Sequence, residues 1–326
     1  MPEQASHQPA VKHINQPLLS KMVPVAFLAV VLIWSTTPLG IVWSSESVHP
    51  TMAVLLRMLI ALALGSLILL ITRIRLPMSK TALKLYAFSS IGIVGGMLLS
   101  YFSAKYLMSG TISLIFGLSP LISGLLAQKI LNEPTFGPIR SLSLVVAFIG
   151  LGIVCSSKIS LTSDSWIGLV LILTAMFLFS LSGVLIKTVK INIHPIASTV
   201  GALMFSTPIF ILAWIIFDGT LPIAQWEIKS IYAIIYLGIF GSLIGFIGYF
   251  YILQNLKAST VALVTLITPV FAIMLGASLN GEIITSSLIL GAICVLLGLS
   301  LYQFGDRCLQ RVKLSRQRRG STKIIL

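Results

Sequence analysis

Charge is what this sequence has least of. Asp, Glu, Lys and Arg make up 9% of its 326 residues, hydrophobic residues make up 57%, and mean hydropathy is +1.04. A soluble domain carries about 25% charged residues, so there is too little polar surface here to cover a water-facing globule. Acids are scarcer than bases, 8 Asp+Glu against 22 Lys+Arg. None of the acids falls inside an apolar run, which excludes the paired intramembrane carboxylates of acid–base chemistry. The four histidines do not cluster: His7 and His13 precede the first apolar run, and His49 and His194 lie between runs. There is no HExxH, no GxSxG and no glycine-rich phosphate loop ending in Lys-Ser/Thr. These absences speak against a zinc hydrolase, a serine hydrolase and an ATP-driven pump on one chain. Three cysteines, Cys155, Cys294 and Cys308, are too few and too scattered for a disulfide framework, and they read as packing residues. Neither a cofactor nor a metal is expected.

What the chain has instead is apolar runs. A span needs about 20 residues, because the hydrocarbon core is about 30 Å thick and a helix rises about 1.5 Å per residue. Ten such runs can be read: 23–43, 51–72, 83–104, 110–131, 138–156, 166–187, 195–217, 231–252, 258–279 and 286–304. Short alternating segments with intervening turns would mark a membrane barrel, and they do not occur, so the spans are helices. The breaks carry turn chemistry or charge, as at His49-Pro50, Asn132 to Pro138, His194-Pro195 and Asp218 to Pro222. Polar residues precede the first run, and Gly40 to Ser45 offers no cleavage site, so that run is expected to stay as an anchor. Residues 1–22 and 305–326 are expected to be flexible tails.

The cations are sorted by side. With the N-terminus in the cytoplasm, 18 of the 22 Lys and Arg fall on the cytoplasmic face. Lys105, Lys158 and Lys229 fall outside, and Arg57 lies within a span. Positive residues are retained in the cytoplasm, so both termini are expected there, in the manner of a bacterial inner-membrane protein. The same bias accounts for the basic C-terminal segment without nucleic acid.

The chain also repeats itself. Residues 106–133 align without a gap on 255–282 at an offset of 149, pairing Thr111 with Thr260, Pro120 with Pro269 and Glu133 with Glu282. Gly92 and Gly96 meet Gly241 and Gly245 at the same offset, and His49-Pro50 meets His194-Pro195 at 145. Each half, 23–156 and 166–304, holds five spans. Five is odd, so the second half enters the membrane inverted. Opposed copies of one bundle are a signature of alternating-access carriers. The fold expected is therefore an all-α membrane protein of ten transmembrane helices in two inverted five-helix repeats.

These features resemble a known family. Trp34-Ser35-Thr36-Thr37-Pro38, Arg57, and the small-residue-Thr…Pro…Glu pattern of spans four and nine are similar to the EamA-type domain of the drug/metabolite transporter superfamily. The resemblance implies ten helices, cytoplasmic termini and movement of small metabolites, often outward. Span six departs from it, since Phe177 to Gly183 lacks the Trp and Pro of span one.

Candidate functional residues follow. Pro120 and Pro269 each withhold a helix donor near mid-membrane and are read as paired hinges or as packing kinks. Arg57, roughly 10 Å along its span, either binds a substrate carboxylate or phosphate, or snorkels or caps carbonyls. Thr36, Thr37, Tyr101, Thr111, Tyr249, Thr260, Thr265 and Thr268 are positioned either as interhelical glue or as a hydrogen-bonding lining, with Trp34 as a wall. Glu133 and Glu282 sit at span ends, as gates or as solvated charges. The leading reading is a secondary transporter exporting small polar or amphipathic metabolites, its partners a small-molecule substrate and the bilayer. A non-transporting scaffold or receptor, and a lipid-acting enzyme, are the rivals. No oligomeric state follows.

Overall fold

In the computed structural model the backbone is described over residues 16–159, 164–256 and 258–322, and the side chains over 22–155, 164–256, 261 and 264–305. The described chain is helical throughout: α1 (Gln16–Ser44), α2 (Pro50–Thr72), α3 (Lys80–Ser103), α4a (Ser109–Phe116), α4b (Ser119–Ile130), α5 (Pro138–Ile159), α6 (Ser165–Lys187), α7 (Pro195–Phe217), α8 (Ile228–Asn255 in all), α9 (Ala258–Asn280) and α10 (Ser286–Thr322). Among the described residues nine spans are long and apolar enough to cross a membrane, and Val264–Asn280 of α9 adds a shorter apolar helix. The outer surface is apolar, with Leu70, Ile71 and Ile216 fully displayed, as a lipid-facing surface requires.

Local chemistry sets the ends. Pro50 and Pro195 open α2 and α7, where proline's missing N–H costs nothing. The preceding His49 and His194 have matching backbones, φ/ψ of −57°/136° and −54°/134°. The Ser79 hydroxyl accepts from the Ala82 N–H to cap α3. At the ends of spans four and nine, Asn132 (φ 53°) and Gly281 (φ 60°) take the left-handed conformation, which Asn and Gly tolerate best.

One expectation needs correcting, and two helices outrun their spans. Span four is not one helix. The ladder fails at Gly117 and Leu118, because Pro120 has no N–H for the Phe116 carbonyl and glycine adds backbone freedom beside it. Pro269, by contrast, lies within an uninterrupted α9. The helix of span ten runs on past its membrane stretch, Ser286–Gly305, to Thr322. No proline lies between Ser286 and Thr322, and Gln, Arg, Lys and Leu favour helix there. The first apolar run is a span from Met22 to Ser44, on a helix whose backbone already starts at Gln16.

Packing follows the repeat. Exchanging spans one to five with six to ten turns the α3–α6 contact into α8–α1, α3–α7 into α8–α2, and α4–α6 into α9–α1, and all of these occur. The α2–α7, α4–α9 and α5–α10 contacts map onto themselves. The molecule is thus a pseudo-two-fold bundle. Its axis runs between α4 and α9, and α5 and α10 close one flank. On that flank backbones nearly touch: a Cβ at Gly150 would lie 2.7 Å from the Gly291 carbonyl oxygen, and one at Gly298 would lie 2.8 Å from Ala147 N.

Candidate functional site

The candidate site lies where α1, α3, α4, α6, α8 and α9 converge. Trp34 of α1 and Phe179 of α6 meet edge to face at 6.0 Å, and Tyr249 of α8 lies 5.3 Å from Trp34 and 6.0 Å from Phe179. Glycines stand opposite the two rings. A Cβ at Gly245 would fall 3.0 Å from Trp34 Nε1, while one at Gly96, at the place equivalent to Gly245, would meet Phe179 Cβ at an ordinary contact of 3.5 Å. Trp34 and Phe179 are 145 residues apart, the offset of the two His-Pro steps. Phe179 therefore fills the place of the tryptophan that span six lacks. Thr37 and Ser182 share the same offset and flank Gly241 and Gly92 in the same way.

This aromatic trio divides two cavities. On one side is a vestibule of about 380 Å³, lined among others by Pro120, Ser123, Glu133, Arg140, Lys187 and Tyr249. On the other is a chamber of about 80 Å³, lined by Thr37, Ser100, Ser113, Phe116 and Thr268 among others. Trp34, Phe179 and Thr265 line both. The vestibule carries one carboxylate and two cations at its mouth. The chamber is mostly apolar, with scattered hydroxyls.

Beyond the chamber a set of polar contacts ties the helix ends together. Trp43 Nε1 donates to Asn280 Oδ1 at 2.8 Å, and the Ser230 hydroxyl donates to the Trp43 carbonyl at 2.7 Å. Lys229 pairs with Glu46 at 2.8 Å and lies 5.1 Å from the Trp43 ring. The Glu282 carboxylate accepts from the N–H groups of Ser109, at 3.0 Å, and Gly110, at 3.2 Å. These N–H groups open α4a, where a carboxylate is favoured by the helix dipole. In the loop at this end, His49 lies 3.8 Å from Asp218. Burial holds its pKa below the ordinary histidine value, with Asp218 pulling the other way.

Other candidates sit elsewhere. Arg57 is wholly buried, so it does not snorkel to an interface. Its Nε donates to Ser242 Oγ at 2.9 Å, Nη1 reaches the Tyr101 hydroxyl at 3.4 Å, and Nη2 makes no hydrogen bond within the protein. Ser242 arrives there on a π-helical turn, Leu237–Ile244, within α8. A Cβ at Gly241 would lie 3.0 Å from Nη2, so the glycine lets the turn approach. Thr36 donates to the Ile33 carbonyl or engages Tyr236, each at 2.7 Å. Thr37 donates to the Ile33 carbonyl at 2.9 Å. Thr36, Arg57, Tyr101 and Thr111 line neither cavity. The side chain of Thr260 lies outside the described residues. Pro269 packs against Gly117, where a Cβ would sit 3.0 Å from its Cγ and 3.3 Å from the Thr265 carbonyl oxygen. The break in span four thus rests on the carbonyl that Pro269 leaves without its helical donor. Among the described residues no group of His, Cys, Asp and Glu is placed to hold a metal.

Ten helices in two inverted repeats around a stepped cavity define a membrane transporter. The EamA-like transporter family matches the chain twice, over residues 21–156 and 166–303, and the protein belongs to that family. It is 24% identical to the uncharacterized transporter YoaV of Bacillus subtilis (strain 168), over 86% of this chain and 97% of that one. It is 26% identical to an uncharacterized transporter of Archaeoglobus fulgidus, over 82% and 94%. It is also 26% identical to the uncharacterized inner membrane transporter YedA of Escherichia coli K12, over 79% and 82%. A solved crystal structure shares the fold at TM-score 0.62 and 15% identity, covering 87% of this chain and 98% of its own.

Proposed function

We propose that the protein is a secondary transporter exporting small polar or amphipathic metabolites by alternating access, with both termini in the cytoplasm of a bacterial inner membrane. The observation that carries this reading is the stepped cavity: a wide charged vestibule, an aromatic constriction at Trp34, Phe179 and Tyr249, and a small chamber beyond it. With the N-terminus cytoplasmic, the vestibule faces the cytoplasm, where an export substrate would enter.

The lining supports a solute with a flat apolar body and one polar or charged group. Aromatic rings offer stacking surface, hydroxyls offer hydrogen bonds, and Lys187 and Glu133 at the mouth accept either charge. No Asp or Glu lies within a span, so coupling through a buried carboxylate is not part of this mechanism. Facilitated diffusion or exchange fits better, with the end glutamates as the remaining proton sites. Pro120 and Pro269, on the crossing helices α4 and α9, are the hinge in this reading, with Pro269 packed against Gly117.

The test is a thermal-shift screen of purified protein over amino acids, nucleosides, sugars and drugs. Each hit is then followed as flux in liposomes. Flux that saturates, and that Trp34→Ala or Phe179→Ala alters without loss of folded protein, supports the reading. Hits that bind without flux favour a receptor-like role.

A further inference from the structure

We propose that Glu282 and Glu133 are alternating latches: Glu282 caps α4a and closes one end in the conformation seen here, and Glu133 caps the start of α9 to close the other end in the opposite conformation. This rests on the alternating-access reading.

The first observation is the closed latch itself. Glu282 accepts from two successive N–H groups, Ser109 and Gly110, one on each carboxylate oxygen, and Asn280 Nδ2 lies 3.4 Å from Oε1. Carboxylate on one repeat and helix start on the other, the contact spans the two halves of the molecule. Charge-assisted hydrogen bonds at a helix N-terminus are strong, and the helix dipole adds to them.

The second is that the parts recur at the other end. Gly281 and Asn132, 149 residues apart, share the left-handed turn. The Glu282 N–H donates to the Gly276 carbonyl at 3.1 Å, and the Glu133 N–H donates to the Ala127 carbonyl at 3.3 Å. Both pairs keep the same offset. The receiving helices keep it too, α4a beginning at Ser109 and α9 at Ala258. The donors are backbone groups, so Ala258 and Ser259 need not resemble Ser109 and Gly110. In the present conformation Glu133 lines the open vestibule. By contrast, the Trp43–Asn280 bond has no counterpart, since Thr188 and Leu131 stand at the equivalent positions.

The third is an asymmetry between the two latches. A Cβ at Gly276 would collide with the Glu282 carboxylate and lie 2.7 Å from Ser109 Oγ. Position 127, its counterpart, already carries that methyl as alanine. The Glu282 latch is therefore the tighter one, and the resting protein favours the state with that end closed.

The experiment uses the full chain in oriented vesicles with its cysteines replaced. Ser123→Cys reports on the vestibule and Ser100→Cys on the chamber, each labelled by an impermeant maleimide from either side. Glu282→Gln, and separately Gly276→Ala, should raise labelling of Ser100→Cys from the Glu282 side. They should lower labelling of Ser123→Cys from the other side, shifting the ratio roughly tenfold, as expected when a charge-assisted bond becomes a neutral one. Glu133→Gln should shift the ratio the opposite way, by less. If both glutamate variants move it in one direction, or neither moves it while the native chamber is reached from both sides, the latch proposal fails alone. A chamber reached from one side only, in every variant, overturns alternating access and the latches with it.

Discussion

Arg57 lends itself to a worked prediction, because its surroundings are fully specified. It is a wholly buried guanidinium with one short hydrogen bond, to Ser242, and one long one, to Tyr101. Among the described residues no carboxylate pairs with it. A buried charge is costly, about 2.5–3.5 kcal/mol at the centre of a span on insertion scales. A buried ion replaced by an apolar side chain of similar length is often neutral or stabilising. Arg57→Met should therefore leave stability within about 1 kcal/mol of the native protein. Ser242→Ala should not be neutral, because it strips a charged donor of its nearest acceptor. A hydrogen bond to a charged group is worth about 1.5–3 kcal/mol. In the Arg57→Met background the same Ser242→Ala change should cost less than about 0.5 kcal/mol, since a lone serine can donate to the carbonyl of the preceding turn. The assay is a double-mutant cycle, by reversible unfolding of the purified protein in mixed micelles. An equal cost of Ser242→Ala in both backgrounds would show that the pair is not coupled. Loss of more than about 3 kcal/mol in Arg57→Met alone would show a net stabilising charge, contrary to the reasoning.

Other perturbations test other parts. Pro120→Ala and Pro269→Ala should each slow transport while insertion and abundance stay near native, read by flux against membrane-fraction immunoblots; two normally active variants would reduce the prolines to packing kinks. Gly150→Val and Gly298→Val should destabilise by more than about 2 kcal/mol in the same unfolding assay, because the α5 and α10 backbones cannot give way as a flexible side chain can. Because burial lowers the His49 pKa, the unfolded chain takes up a proton there before the folded one does. The stability it confers is present above about pH 6.5 and falls as pH drops below that; His49→Gln should flatten the pH dependence of unfolding in that window. Reporters fused after Pro77 and Lys190 should read as cytoplasmic and one after Gly219 as external, and a reversed signal in either half would break the proposed orientation.

Much of the fold could be read from the sequence because a membrane allows so few alternatives. Run length dictates spans, and His-Pro steps and the Asn132 and Gly281 turns mark their ends. An odd number of spans per repeat dictates inversion. Phe179 and Ser182 were within reach too, since the 145-residue offset of the His-Pro steps leads from Trp34 and Thr37 straight to them. The repeat needs two offsets, 145 up to the His-Pro steps and 149 beyond them. Other features have no local signal. Pro24, Pro38, Pro208 and Pro269 all lie inside continuous helices, and only Pro120, with Gly117 beside it, accompanies a break. The π turn that carries Ser242 to Arg57 is set by packing between α2 and α8, not by any residue within it that forbids an α-helix. Whether a span-end glutamate lines a cavity or caps a distant helix depends on how the helices pack. That is a property of the conformation, and identical turns at Glu133 and Glu282 lead to different surroundings.

The most direct test of the central claim is counterflow. Purified protein in liposomes is preloaded with an unlabelled compound from the thermal-shift screen, and labelled compound is added outside at trace concentration. Alternating access predicts a transient, saturable accumulation of label that rises with the internal load and is absent from empty liposomes. Uptake that is indifferent to the internal load, or linear in external concentration, would contradict a carrier built from two opposed repeats.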